Sequence, residues 1–202
     1  MNKEVVITTS DGLKLHGLLQ TPEAESKKCV VLCHGLSVDM EELGAFTALT
    51  GDLVHEGFHT FRFDFRGHGK SRSQEGLEYS VTGSLKDLNA VMSHLKKMGY
   101  TTFVIVAASF AGGAVSFYCA EHPEKIEGIV MWNALIDYEE KNHPTTERNK
   151  QVWGQVALDE IKQKGFQEKS RGLKFSKEAF DELLTLKPYE ALLKFKKPAL
   201  FI

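Results

Sequence analysis

Cysteine is scarce in this 202-residue chain: the three present, Cys29, Cys33 and Cys119, are an odd number and form no Cys-x-x-Cys pair. Cys29 and Cys33 stand four apart in a predicted strand, so their side chains share one face. Metal or redox chemistry is one reading of that pair. Buried free thiols are the reading the missing motif favours. A charge excess of either sign is missing too. The formal net charge of −2 gives no field to gather nucleic acid or to hold the chain on an anionic membrane. No uncharged apolar run approaches membrane-spanning length. The N-terminal Met1-Asn2-Lys3-Glu4-Val5-Val6 has neither the apolar core nor the cleavage site of a secretory signal. Internal repeats and low-complexity tracts are absent as well. A cytoplasmic protein without a nucleic-acid partner or membrane span is the expectation these absences leave. The length suits one domain with room for an insertion.

Strand and helix signals alternate along the first two thirds. Val5–Thr9 and Leu13–Leu19 read as a hairpin around the turn Ser10-Asp11-Gly12. Lys28–Cys33 is a continuous apolar run suited to a strand buried on both faces. A helix is expected over Met40–His55, a strand over His59–Phe63, a helix from about Ser84 to Met98, and a strand over Ile126–Trp132. Such alternation predicts a mostly parallel sheet with helices on both faces. From about Asn133 to Ala191 the chain is helical and charged with no strand signal, and Lys197–Ile202 then reopens a strand pattern. A crossover helix needs only a dozen or so residues. The length of this segment therefore favours a lid over a long crossover.

The most informative stretch is Phe103-Val104-Ile105-Val106-Ala107-Ala108-Ser109-Phe110-Ala111-Gly112-Gly113-Ala114. A buried strand runs into small residues and one serine, and a helix follows at once. A sharp strand-to-helix turn needs small neighbours, and it aims the helix's unpaired N–H groups at whatever the serine attacks. Ser109 is thus a candidate nucleophile.

His34-Gly35-Leu36 after the third strand, Asp64-Phe65-Arg66-Gly67-His68-Gly69-Lys70-Ser71 after the fourth, the turn around Ser109 and the strand Lys197–Ile202 occur in one order and spacing. Together they resemble the α/β-hydrolase superfamily, most closely the esterase and acylglycerol-lipase group that includes bacterial cinnamoyl (feruloyl) esterases. The resemblance implies an α/β-hydrolase core over 1–132, a helical lid insertion over 133–191 and a return to the core over 192–202. It implies carboxylic-ester hydrolysis through an acyl-enzyme, with Ser109 as nucleophile and the backbone N–H groups of Leu36 and Phe110 as oxyanion donors. His34 and Gly35 would shape the oxyanion loop. The loop holding His68 would be a structural turn supported by Asp64 and Arg66. No cofactor or metal is implied.

Two departures qualify the resemblance. The family's Gly-x-Ser-x-Gly reads Ala107-Ala108-Ser109-Phe110-Ala111 here, which is also similar to the acyl-transferring thioesterases of the bacterial luminescence system. The His-Gly-x-x-Asp loop and the later histidine of the family do not occur before Ile202, so the chain reads as C-terminally truncated. Asp137 with His143 is an in-chain alternative for acid and base. Ester and thioester substrates, and a non-catalytic binding protein, remain open. An apolar strand at the chain end is expected to leave an edge through which copies associate.

Overall fold

The structure, a computed structural model, describes residues 1–73, 76–77, 79–138 and 153–202. Strands β1 (Asn2–Thr8) and β2 (Lys14–Gln20) form the expected antiparallel hairpin. Its turn is closed by Gly12 at φ +87°, a conformation glycine adopts without steric cost. There follow β3 (Lys28–Cys33), α1 (Ala45–His55), β4 (His59–Phe63), α2 (Val81–Lys97), β5 (Thr102–Ala108), α3 (Ala111–Glu121) and β6 (Ile126–Trp132). The remainder comprises α4 (Gln155–Lys164), β7 (Phe166–Glu168), β8 (Lys174–Ser176), α5 (Lys177–Thr185), α6 (Pro188–Leu192) and β9 (Ala199–Phe201).

One seven-stranded sheet has the order β1-β2-β4-β3-β5-β6-β9, and β2 alone runs against the others. Side chains alternate across it. Val31, Cys33, Ile105 and Ala107 pack with Leu88 and Met92 of α2 and with Val115 and Cys119 of α3. Val30, Leu32, Val106 and Ala108 pack with Phe46 of α1 on the opposite face. Burial on both faces is why β3 and β5 read as continuous apolar runs rather than alternating ones. Each large side chain so buried stabilises the fold by about 1.5–3 kcal/mol. The three cysteines are free and buried, and burial alone pushes the Cys29 thiol up to about 12. They behave as small core side chains.

Three expectations need correction. Helix α1 begins at Ala45, not Met40: Glu42, Leu43 and Gly44 take φ of +45°, +57° and +92°, which no right-handed helix accommodates. Helix α2 begins earlier than Ser84, because the Ser80 side chain accepts the Gly83 N–H at 2.9 Å and caps Val81. The region after Asn133 is not strand-free: β7 and β8 pair antiparallel. Three-residue strands are too short to show a period-two pattern. Their turn is set instead by Arg171 and Gly172, at φ +59° and +71°.

Candidate active site

Ser109 lies where central strand β5 turns into α3, and its backbone is held at φ +49°. Few non-glycine residues occupy that region, and the strain costs on the order of 1–3 kcal/mol. Surrounding bonds impose it. The Ser109 N–H donates to the Trp132 carbonyl at 3.1 Å, and its own carbonyl accepts the N–H groups of Gly112 at 3.0 Å and Leu135 at 2.7 Å. The residue is half-buried. Ala107 and Ala108 below it are buried. Side chains at 112 and 113 are forbidden by the segment after β6: a Cβ at Gly112 would sit 2.9 Å from the Leu135 carbonyl, and one at Gly113 would overlap the Tyr138 hydroxyl.

The loop after β3 comes against this turn. A Cβ at Gly35 would lie 3.1 Å from the Ser109 Cβ, so glycine is what permits the approach. The loop's main chain is tied at three points. The Gly35 N–H donates to the Glu42 carboxylate at 2.5 Å. His34 Nδ1 donates to the Gly35 carbonyl at 2.7 Å, while its Nε2 accepts the Phe65 N–H at 3.0 Å. His68 Nε2 accepts the Ser37 N–H at 3.1 Å, and its Nδ1 donates to the Arg66 carbonyl at 2.8 Å. These roles follow from the partners, since a backbone N–H can only donate and a carbonyl can only accept. Among the described residues, the N–H groups of Leu36 and Phe110 make no hydrogen bond. Both residues border one small cavity with His34, Phe65, His68 and Tyr79.

Both histidines are buried and neutral. Burial drives His34 down to about 4 and His68 down to about 3, the latter helped by His34 itself. With both ring nitrogens engaged, neither is free to take a proton from Ser109. Burial raises Glu42 above the usual carboxylate range, against the pull of the Gly35 N–H. It also raises Asp64, whose two oxygens accept the N–H groups of Met40 and Lys70 at 2.8 Å each and so join the two loops. Arg66 is fixed by Asp87 of α2 at 2.7 Å and Asp11 of the first hairpin at 3.0 Å. The Asp64–Ser71 loop is thus a structural turn, as the resemblance implied.

A roof of aromatic side chains covers the turn. Leu36 and Phe110 pack against a cluster that includes Trp153, Phe175 and Phe180, and the Phe110 and Trp153 rings stack at 5.5 Å. Helix α5 is pinned to the core by Glu182, whose carboxylate accepts the Val81 N–H at 2.5 Å and the Thr82 N–H at 3.2 Å at the start of α2. Asp137 is exposed, close enough to Tyr189 to bear on that phenol's ionisation. His143 lies outside the described residues. Glu42 was not singled out from the sequence, because the helix expected from Met40 would have turned it to solvent. Among the described residues, no group of three or more His, Cys, Asp or Glu side chains is placed to hold a metal. No helix among them is long and apolar enough to cross a membrane.

Sheet order, the strained serine and the braced loop beside it define the α/β-hydrolase fold. Residues 24–179 match the family described as serine aminopeptidase, S33 (Hydrolase_4), and the chain belongs to that hydrolase family. A curated relative, bifunctional epoxide hydrolase 2 of Rattus norvegicus, is 25% identical over 130 residues; the match covers 64% of this chain and 22% of that protein. Among solved structures, Est1E of Butyrivibrio proteoclasticus with ferulic acid bound superposes at a TM-score of 0.78. It is 20% identical, and the match covers 98% of this chain and 77% of that one. The Pyrococcus furiosus esterase Pf2001 superposes at 0.70 with 21% identity, covering 100% and 69%.

Proposed function

We propose that this chain carries the nucleophile and the oxyanion site of a serine hydrolase that cleaves carboxylic esters through an acyl-enzyme. The observation that carries this is the strained turn lifting Ser109 from a central strand, next to two residues, Leu36 and Phe110, whose N–H groups make no hydrogen bond among the described residues. Ser109 Oγ attacks the ester carbonyl carbon as its proton passes to a base. The carbonyl oxygen gains charge, and the N–H groups of Leu36 and Phe110 stabilise it, each donor worth roughly 3 kcal/mol. The alcohol leaves with a proton. Water then hydrolyses the acyl-serine and restores the hydroxyl.

His34 and His68 are locked in other bonds, so the base comes from elsewhere: from His143 oriented by Asp137, or from polypeptide outside these 202 residues. Residues 133–191 act as a lid whose aromatic roof accepts the apolar part of a small ester or thioester. The buried free thiols fit a reducing compartment such as the cytoplasm, and the exposed β9 edge is a site of self-association.

A fluorophosphonate probe tests the central claim: it should label the chain, and Ser109→Ala should abolish labelling. Absence of labelling on the unaltered chain shows that Ser109 is not activated within these residues and favours the non-catalytic binding reading. Turnover of short p-nitrophenyl esters should be weak, near the residual ~10³–10⁴ over water that oxyanion donors alone leave. Robust turnover lost in both Ser109→Ala and His143→Ala would place the base within the chain.

A further inference from the structure

We propose that Glu42 is a positioning residue that sets the oxyanion loop, by taking up the Gly35 N–H so that Leu36 alone presents a main-chain donor above Ser109. This rests on the serine-hydrolase assignment for its consequence, but its geometry stands independently. Between His34 and Ser37, the Gly35 N–H goes to Glu42, the Gly35 carbonyl to His34 and the Ser37 N–H to His68. Among the described residues the Leu36 N–H is the one left over, and Leu36 lines a cavity together with Phe110. Both Glu42 carboxylate oxygens lie 3.5 Å from where a Gly35 Cβ would be, and Ser109 Cβ lies 3.1 Å from the same point. Glu42 therefore grips the loop where it meets the nucleophile.

The backbone is bent to deliver that grip. Glu42 and Leu43 occupy the left-handed region in succession without being glycine, and Leu43 is 71% exposed, so packing of its side chain does not hold the conformation. Asp64 accepts the Met40 N–H just upstream and fixes the segment from the other side. Main-chain bonds close the same turn, the Glu42 N–H donating to the Asp39 carbonyl at 3.0 Å and the Gly44 N–H to the Glu41 carbonyl at 2.8 Å, and they hold the Glu42 side chain at the Gly35 N–H. Without Glu42 the two histidines would hold the Gly35 carbonyl and the Ser37 N–H, but no described group would hold the Gly35 N–H.

Two measurements on the 202-residue chain decide it. In the first, the rate of fluorophosphonate labelling at Ser109 is compared across variants. Glu42→Ala should slow it roughly tenfold to a hundredfold. Glu42→Gln keeps an acceptor for the Gly35 N–H and should restore most of the rate. An unchanged rate in Glu42→Ala overturns the proposal. In the second, amide hydrogen exchange followed by NMR reads the loop without any chemistry at the serine. Glu42→Ala should speed exchange at Gly35, whose N–H the carboxylate holds, while the amides of β5 keep their protection, and Glu42→Gln should protect Gly35 again. Uniform acceleration across the sheet, or no change at Gly35, overturns it. If the unaltered chain does not label at all, Ser109 is not activated within these residues, and the exchange measurement still decides whether Glu42 braces the loop.

Discussion

Two neutral histidines border the cavity at the candidate site, and their ring nitrogens are taken up by main-chain loop groups. Both have folded pKa values depressed below the ordinary 6.5, to about 4 for His34 and about 3 for His68. Below pH 6.5 the unfolded chain binds protons that the folded chain refuses, so stability falls as the medium is acidified through that window. Their contribution is full above 6.5 and is lost as pH approaches 4 and then 3. Between pH 7 and 5 the expected loss is about 2 kcal/mol per histidine. Urea denaturation at the two pH values measures it. In His68→Gln, whose side chain has no proton to gain in this range, the pH slope should flatten by about half. A slope unchanged by that substitution would mean the acid sensitivity arises elsewhere. The same protonation puts a second N–H on each ring and breaks the bonds accepted from the Phe65 and Ser37 N–H groups, so acid should loosen the loop after β3 before it unfolds the sheet.

The loops themselves are tied to helices by a buried ion network. Asp87 is fully buried in α2 and receives the Arg66 side chain at 2.7 and 2.9 Å as well as the Arg66 main-chain N–H at 2.9 Å. Asp87→Ala leaves a buried guanidinium with Asp11 as its other carboxylate partner and should cost about 3–5 kcal/mol. Chemical denaturation measures that loss, and a cost under 1 kcal/mol would show that water replaces the carboxylate. Elements of this kind were unevenly legible from sequence. The strands of the sheet were readable because burial on two faces writes an uninterrupted apolar run, as in Lys28–Cys33 and Phe103–Ala107. The turn at Ser109 was readable because sterics demand small residues around it. The start of α1 was not, because three consecutive left-handed residues leave no mark when only one is glycine. Glu42 went unseen for that reason, and the β7–β8 hairpin because each strand is too short for a pattern. Gly112 and Gly113 were visible as small residues, but their reason is the packing of residues 134–138, a long-range contact no local window contains.

Across the whole molecule the sheet is closed unequally. β9 pairs with β6 through Ala199, Leu200 and Phe201, yet Leu200, Phe201 and Ile202 are 55%, 58% and 61% exposed. Apolar side chains on a strand edge invite pairing with another chain. The 202-residue chain should therefore self-associate with rising concentration, as sedimentation velocity would show, and Phe201→Lys should shift it toward monomer. A concentration-independent monomer counts against this. The sheet order has one more consequence, in time rather than space. β3 leads into the His34–Ser37 loop and β5 into Ser109, and these neighbours in the sheet are separated in the chain by α1, β4 and α2. Pairing so distant in sequence is slow to nucleate. During synthesis, the N-terminal hairpin can close long before its host sheet exists. The His34–Ser37 loop and Ser109 can meet only once the fifth strand has emerged from the ribosome, so the candidate site is assembled later than the hairpin that begins the sheet.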